Sequence, residues 1–307
     1  MTLDGSASID NDGAVKTYKW SIQGKQIAIG AKADVKVPVG SHTITLAVTD
    51  DRGASDYNNV TLRVKPKTDP VIPKRTLVMW LKADAVTDLA DGQAVAKWND
   101  SSASRLFSAQ KDPTRRPTWI KNAIGEQPAI RFDGNDDTLI VDHCRGLLYS
   151  FYNSTLFAVV RTEKGGAIVS HGHTTLAVTP HNKGTLSYSS AYQVFPSGDH
   201  VWPGVRSTNP GAVPLGKPAV LTMRRTNPKS GGTRLFVNGQ RDDNGTAIGY
   251  HAMNSANGFI GSGYTSKRNL WQGDIAEIIL YGRDLSNKER NAVEMYLAGK
   301  YRIVLER

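Results

Sequence analysis

The stretch WQGDIAEIILYGRDLS, residues 271–286, combines an apolar run with two carboxylates, Asp274 and Glu277. A positioned acid and a carboxylate are the usual apparatus of glycoside hydrolysis. Successive side chains of a strand point to opposite faces, so residues three positions apart are predicted to lie on opposite sides of a sheet. Ile275 and Glu277 would then share one face, and the two carboxylates could not flank one bond. The stretch is predicted to be a structural strand, with Glu277 meeting an arginine or a backbone donor.

This strand leads directly into the one segment with a convincing helical pattern. Ser286 is suited to the N-cap position, and Glu289 stands three residues later, which together form a capping box. Apolar residues then recur at helical spacing, namely Val293, Tyr296, Leu297 and Tyr301. Such a face predicts a helix that packs on the sheet.

The rest of the chain has an all-β composition, with 29 glycines, 14 prolines and short runs rich in Val, Ile, Thr and Tyr. From residue 76 onward, about a dozen such runs follow one another without an intervening helix, which predicts two packed antiparallel sheets. Residues 1–65 contain four runs of their own, and Trp20 is the expected core anchor of a small β-sandwich. The prolines of residues 66–75 predict an extended linker between the two domains.

The first domain resembles a PKD domain, an immunoglobulin-like module of secreted bacterial enzymes and surface proteins. The residues that carry the resemblance are LDGSASIDNDG (3–13), YKW (18–20), VGSHTITLAVTDDRGAS (39–55) and the closing VTLRV. Members of this family usually start with a further strand before LDGSAS. The chain is therefore expected to begin inside the domain, as a piece of a larger protein.

Residues 76–307 resemble a laminin-G-like domain, the jelly roll of concanavalin A-like lectins and glucanases. The matching segments are LVMWLKADA (77–85), AVAKWNDSS (94–102), the segment 116–139, TLFAVVRT (155–162), RLFVNGQ (234–240) and the block from residue 273 to residue 303. The resemblance implies a jelly-roll sandwich with one C-terminal helix. It does not imply an activity, because this fold serves lectins, adhesion modules, hydrolases and lyases.

Two groups of acidic residues suit calcium, which prefers hard oxygen ligands. In an immunoglobulin-like topology the loops IDNDG and TDDRG reach the same pole of the first domain and would bring together Asp10, Asp12, Asp50 and Asp51. In the second domain the turn FDGNDDT places Asp136 and Asp137 close to Asp133, and Asp100 of WNDSS is expected beside them. Turn formation alone also explains the same aspartates.

Positive charge is concentrated between residues 164 and 241, where nine Lys or Arg face one acid, giving nine minus one, or +8. Residues 1–65 hold eight basic and seven acidic residues, a net of +1. Aromatic rings stack on sugars, while Arg and Lys pair with carboxylate or sulfate groups. An anionic polysaccharide is the predicted ligand, bound by His171, His173, Tyr188, Tyr192, Trp202, Arg206 and Arg224.

The function predicted from these features is non-catalytic carbohydrate binding or adhesion within a larger secreted or cell-surface protein. An alternative is a polysaccharide lyase or hydrolase on the same jelly roll; a lyase would use a Tyr or His as acid and base and an arginine to neutralise the uronate. Its residues would be His171 or His173, Tyr188 or Tyr192, and Arg206. A structural spacer or protein-adhesion module is a third reading. The sequence contains no apolar run long enough to span a membrane and no nucleic-acid-binding motif.

Overall fold

The computed structural model describes residues 1–38, 40–64, 71–141, 153–171, 174–179, 184–189, 193–194, 200–201, 205–226, 232–242, 244–245, 257–263 and 269–306. The chain forms two compact units, Met1–Asp69 and Pro70–Arg307. The described residues are mostly in antiparallel strands, with one α-helix near the C-terminus. The predicted all-β fold class with a C-terminal helix is confirmed.

The first unit contains a four-stranded antiparallel sheet in the order β3-β2-β5-β6 and a separate β1-β4 pair. The strands are β1 (Thr2–Asp4), β2 (Val15–Ile22), β3 (Lys25–Ile29), β4 (Lys32–Asp34), β5 (Gly40–Asp50) and β6 (Ser55–Val64). Trp20 is 5% exposed, packs with Leu3, Val35 and Ile44, and donates its indole N–H to the Gly30 carbonyl at 2.9 Å. Its predicted role as core anchor is confirmed.

The second unit is a sandwich of two antiparallel sheets. Its first strands are β7 (Leu77–Lys82), β8 (Lys97–Asn99), β9 (Phe107–Ala109), β10 (Thr118–Ile124), β11 (Gln127–Asp133), β12 (Leu139–Val141), β13 (Ser154–His171), β14 (Thr174–Thr179) and β15 (Thr185–Ser189). The remaining strands are β16 (Gln193–Val194), β17 (His200–Val201), β18 (Val205–Ser207), β19 (Ala219–Arg225), β20 (Thr233–Val237), β21 (Gln240–Arg241), β22 (Asn244–Gly245), β23 (Gly258–Ile260) and β24 (Gln272–Tyr281). Short 3-10 turns span Ala83–Ala85 and Pro113–Arg115.

One strand, β13, belongs to both sheets of the sandwich. Its first part pairs with β19 and β24, and its last part pairs with β14 and β23. The sequence pattern predicts separate strands around 155–162 and 166–172, whereas the structure has one strand that bends between them. The bend contains Gly165 and Gly166, whose φ angles are +79° and +124°. An added Cβ at Gly166 would lie 2.3 Å from the Leu270 carbonyl oxygen, so this close approach requires glycine.

The main core lies between the two sheets and includes the fully buried Trp98, Trp271 and Phe132. A second apolar layer lies on the other face of β24 and β13, under the helix α1 (Asn287–Tyr301). Ser286 caps this helix with Glu289 in a reciprocal capping box, and the predicted apolar face packs inward, so both predictions are confirmed. No helix among the described residues has the length and apolar character that crossing a bilayer requires.

The prediction that Asp274 and Glu277 lie on opposite faces is wrong, because β24 contains a bulge. Val160 pairs with Ile275, but the preceding residue, Val159, pairs with Glu277, so Ala276 is an extra residue in the strand. Ile275 points into the core between the sheets, whereas Ala276 packs in the layer under the helix. Glu277 contacts residues of that helix, so it does not share a face with Ile275. Both carboxylates consequently lie on the helix-side face of the sheet.

Glu277 is fully buried and joins the sheet to the helix. One oxygen accepts from Lys300 Nζ at 2.8 Å and from the Tyr301 hydroxyl at 2.8 Å, and the other accepts from the indole N–H of Trp80. Burial, and next the charge of Glu277, raise the pKa of Tyr301 above its usual value, so this hydroxyl stays protonated and donates. The partners are a lysine, a phenol and an indole rather than the predicted arginine or backbone donor.

We expect Lys300→Ala to lower the free energy of unfolding by about 3 kcal/mol, because it leaves the buried Glu277 charge without its cation. Equilibrium urea unfolding measures the change. Lys288→Ala, at an exposed position of the same helix, is the matched control and should stay within about 0.5 kcal/mol of the wild type. Adding Glu277→Gln to Lys300→Ala should recover part of the loss, and equal unfolding midpoints for the Lys300 and Lys288 variants would refute the role of this pair.

Candidate functional site

A polar depression in the second unit consists of two adjoining cavities of about 640 and 310 Å³. They share Asp133, Lys164 and Gln272 and together form what we call the polar groove. The groove lies where β11 ends, β13 bends and β24 begins. Its side chains are mostly charged or polar, which suits a hydroxyl-rich or ionic ligand better than an apolar one.

A row of three charged residues crosses the larger cavity. Arg131 of β11 and Arg161 of β13 are each directly opposite Asp274 of β24, so the three side chains share one face of the sheet. Arg131 donates to Asp274 through Nε at 2.7 Å and Nη2 at 3.2 Å. Arg161 donates through Nε at 3.1 Å and Nη2 at 2.6 Å. A single carboxylate therefore holds two guanidinium groups in place.

Exposure differs strongly within this row. The Asp274 side chain is 2% exposed, whereas those of Arg131 and Arg161 are 46% and 34% exposed. The hydrogen bonds to Asp274 raise the pKa of Arg131 above its already high value, so its charge is permanent. The row thus presents two oriented cations over one buried anion. These contacts give Asp274 a supporting role and leave the arginines to face the groove.

Hydrogen bonds around Thr162 set the shape of the groove wall. The hydroxyl of Thr162 donates to the Gln272 carbonyl at 2.5 Å and accepts from the Gly165 N–H at 2.6 Å. Gly273 has a φ of +140°, and an added Cβ there would lie 2.3 Å from the Arg161 carbonyl oxygen. The two strands approach so closely here that the groove floor tolerates no side chain at this position.

The acidic rim of the groove is the turn FDGNDDT. Ligand oxygens of Asp133, Asp136 and Asp137 lie within 4.8 Å of one another, and this is the sole such acidic group among the described residues. Burial by itself would raise the pKa of Asp133, but hydrogen bonds from the N–H groups of the following residues outweigh it and lower that pKa. Asp137 accepts from the Asp133 N–H at 2.9 Å. Turn formation therefore uses some of the oxygens that calcium would need.

The pKa of Asp137 shifts in the opposite direction to that of Asp133. Burial is the largest cause, and the negative charges of Asp133 and Asp136 add to it, so that the pKa of Asp137 rises from 3.8 to about 6. The side chain is 7% exposed. A buried carboxylate next to two others is electrostatically costly when ionised, which is the situation that a bound cation or a proton relieves.

Asp100, predicted to join this acidic group, has a different environment. Its oxygens accept from the N–H groups of Trp80 at 2.7 Å, Ser102 at 2.8 Å and Leu106 at 3.1 Å. It also accepts from the Ser102 hydroxyl at 2.6 Å. Asp100 organises the turn after β8 and does not belong to the group formed by Asp133, Asp136 and Asp137.

In the first unit the two aspartate-rich loops meet, as the sequence predicts. Asp12 forms an ion pair with Arg52, and Asp51 accepts from the Ala14 N–H at 3.3 Å. Asp50 accepts from the N–H groups of Arg52 and Ala54, both at 2.8 Å, and Asp10 accepts from the Asp12 N–H at 3.3 Å. Each carboxylate thus has a partner in turn geometry or in an ion pair.

Within the described part of the chain, the residues predicted to bind the ligand do not form a common exposed surface. His171 is fully buried in β13. Arg224 is 6% exposed, and its guanidinium connects Asp284 and Asn287, each at 2.6 Å, at the start of the helix. The backbone register pairs Tyr188 with Arg206, whose side chains lie outside the described residues. The described residues also exclude His173, Tyr192 and Trp202.

The groove arginines were missed by sequence reasoning because they lie outside the strongly basic region. Arg131 occurs in PAIRFDG and Arg161 in FAVVRT, where a single cation interrupts an apolar run. A lone arginine in each of two strands, with an aspartate in a third strand between them, is the signal that could have identified them. Recognising this signal requires knowledge of which strands are neighbours in the sheet.

No protein-family profile and no curated protein sequence matches the chain. The fold is similar to Trypanosoma rangeli sialidase, solved in complex with sialic acid, with a TM-score of 0.50 and 14% identity over 89% of this chain and 46% of that one. It is also similar to domain 4 of AbnA, a GH43 extracellular arabinanase from Geobacillus stearothermophilus in complex with arabinotriose, with a TM-score of 0.47 and 12% identity over 73% and 98% of the two chains. The chain spans less than half the length of the sialidase. Similarity at these identities concerns the fold.

We expect Asp137 to contribute a loss of stability between about pH 4 and pH 7 in chelator-containing buffer. Its pKa of about 6 exceeds the ordinary value of 3.8, so the folded state holds the proton more tightly than the unfolded chain does. That stabilisation is complete at low pH and is lost as the pH rises through the folded pKa, at a cost of about 2 to 3 kcal/mol.

Asp137→Asn keeps an oxygen that accepts from the Asp133 N–H and should remove most of this pH dependence. Urea unfolding at steps of pH measures it. Asp88→Asn, at an exposed position outside the groove, should leave the pH dependence as in the wild type. An unchanged slope in the Asp137 variant would show that this carboxylate does not titrate as inferred.

Proposed function

We propose that this chain is a non-catalytic carbohydrate-binding segment of a larger secreted or cell-surface protein, and that the second unit binds the sugar. The observation that carries the proposal is the polar groove, which offers oriented donors on Arg131 and Arg161 and acceptors on Asp133 and Asp137. Sugar recognition uses such planar donors and acceptors to bind neighbouring hydroxyl groups. The sialidase that shares the fold was solved with sialic acid, and this ligand class agrees with the proposal.

We interpret the first unit as a PKD-like spacer and the second as a laminin-G-like domain. The support is the set of sequence motifs together with the antiparallel sandwich in which they lie. The segment LVMWLKADA supplies β7 and the turn after it, and the block from residue 273 to residue 303 supplies β24 and the capped helix. On this interpretation the first unit is a spacer and the second unit is the binding domain.

An anionic polysaccharide is the ligand that we propose within this class. The chain carries a formal net charge of +10 at pH 7, which favours acidic polymers over neutral ones through long-range attraction. Arginine also binds carboxylate and sulfate groups through paired hydrogen bonds. The groove is a described surface on which such contacts are available, whereas Arg224 and His171 are buried.

The test is a panel of neutral, uronic and sulfated polysaccharides, measured by retention in an affinity gel and by ultraviolet absorbance of new unsaturated ends. We expect retention of one or more acidic polymers and no rise in absorbance. Rising absorbance would replace the binding proposal with a polysaccharide lyase. Absence of both signals would favour a spacer or protein-adhesion module.

We further propose that calcium binds at the acidic rim formed by Asp133, Asp136 and Asp137. The support is the convergence of their oxygens within 4.8 Å and the electrostatic cost recorded in the raised pKa of Asp137. A divalent cation would stabilise the turn and therefore one wall of the groove. It would supply no chemistry beyond this ordering.

Adding calcium to the chelator-treated protein is expected to raise the melting temperature, because a ligand that binds only the folded state stabilises it. A hundredfold excess over Kd corresponds to about 3 kcal/mol, or about 5 to 10 °C. Asp136→Asn removes an exposed ligand and should abolish the response, whereas Asp88→Asn should retain it. An unchanged melting temperature of the wild type on adding calcium would overturn the proposal.

A further inference from the structure

We infer that Arg131 and Arg161 form a clamp for the carboxylate of a uronic-acid residue, with Asp274 as the support that orients both guanidinium groups. This inference rests on the proposed carbohydrate-binding function and assigns its site and its ligand group. It also assigns the clamp to two arginines that lie outside the basic region 164–241. The clamp consists of residues on three adjacent strands, β11, β24 and β13.

Arg131 and Arg161 each keep a donor group that Asp274 does not use. The contacts to Asp274 use Nε and Nη2 of each arginine. Within the described residues, the Nη1 groups of Arg131 and Arg161 are then available to a ligand in the groove. With β24 between them, the backbones of the two arginines are about 9.5 Å apart, and their side chains converge on Asp274. The donors are fixed before the ligand arrives, which lowers the entropic cost of binding.

The row formed by Arg131, Asp274 and Arg161 has a net positive charge. One buried carboxylate neutralises one guanidinium, so Arg131, Asp274 and Arg161 together keep one positive charge. Lys164, which is exposed and lines both cavities, adds a positive charge beside the row, and the exposed Glu163 of the larger cavity offsets it. A single carboxylate on the ligand compensates the row, and arginine binds planar oxyanions through paired hydrogen bonds.

The groove has a basic side and an acidic side. Asp133, Asp137 and Glu163 line the same cavity as the two arginines, and the exposed Glu163, which lies outside the acidic rim, can accept hydrogen bonds from hydroxyl groups. A polymer bearing only anionic groups would meet these acids unfavourably. A uronic-acid residue carries one carboxylate for the arginines and several hydroxyls for the acidic side. The groove therefore matches a uronate better than a densely sulfated or phosphorylated chain.

The test compares polygalacturonate, alginate and hyaluronan with the same polymers after their carboxyl groups have been reduced to alcohols. We expect the wild type to bind at least one of these polymers about tenfold more tightly before reduction than after it. Arg131→Gln and Arg161→Gln should each lose about that factor for the acidic polymer and should bind the reduced polymer as the wild type does. Lys288→Gln makes the same charge change outside the groove and should bind both forms normally.

Because Asp274 is buried, an arginine variant can be destabilised, so its melting temperature is measured alongside binding. Lys164→Gln is an independent variant at an exposed position, where folding is not at stake. It should weaken binding of the acidic polymer several-fold. Preference for the acidic polymer in the wild type, with a loss in Lys164→Gln, supports the clamp even if both arginine variants fail to fold.

Two results would overturn the clamp while leaving carbohydrate binding intact: equal affinity for a polymer before and after carboxyl reduction, or full affinity in folded Arg131 and Arg161 variants. Failure of the wild type to bind any acidic, reduced or neutral polymer would overturn both the clamp and the proposed function. Binding of the neutral and reduced polymers therefore distinguishes failure of the clamp alone from failure of the proposed function.

Discussion

The second unit depends on the bend of β13, because this one continuous strand pairs with strands of both sheets. The bend requires glycine twice, since backbone carbonyls of Leu270 and Val178 occupy the space where the Cβ atoms of Gly166 and Gly165 would be. Lys164 directly precedes the bend and lines the groove, and Arg161 of the same strand pairs with Asp274 of β24. The strand that joins the two sheets thus also supplies residues of the groove.

The sequence predicts local features of the fold well. The capping box at Ser286 and Glu289 and the inward face of the helix depend on near neighbours, and both occur as predicted. The bulge at Ala276 was not predictable from strand alternation, because it depends on how Val159 and Val160 pair with a distant strand. The continuity of β13 was missed for a related reason, since two adjacent glycines usually indicate a turn between strands.

The candidate site was harder to predict, because its residues are dispersed along the chain and become neighbours only through strand pairing. Counting charges directed attention to Arg224, yet that side chain is buried against the start of the helix. Arg131 and Arg161 stand 30 positions apart in sequence and are joined by Asp274 from a third strand. Net charge therefore pointed to the basic region, whereas locating the candidate site required the sheet order.

The sharing of one buried carboxylate by two arginines has an evolutionary consequence. Loss of either arginine leaves Asp274 with a single partner, and loss of both leaves an uncompensated charge at a position that is 2% exposed. Substitutions at positions 131, 161 and 274 should consequently be correlated among relatives of this chain, with the aspartate replaced only where an arginine has also been replaced. A lineage that abandons the ligand would be expected to exchange all three residues for apolar ones of similar volume, which preserves the sheet while erasing the site.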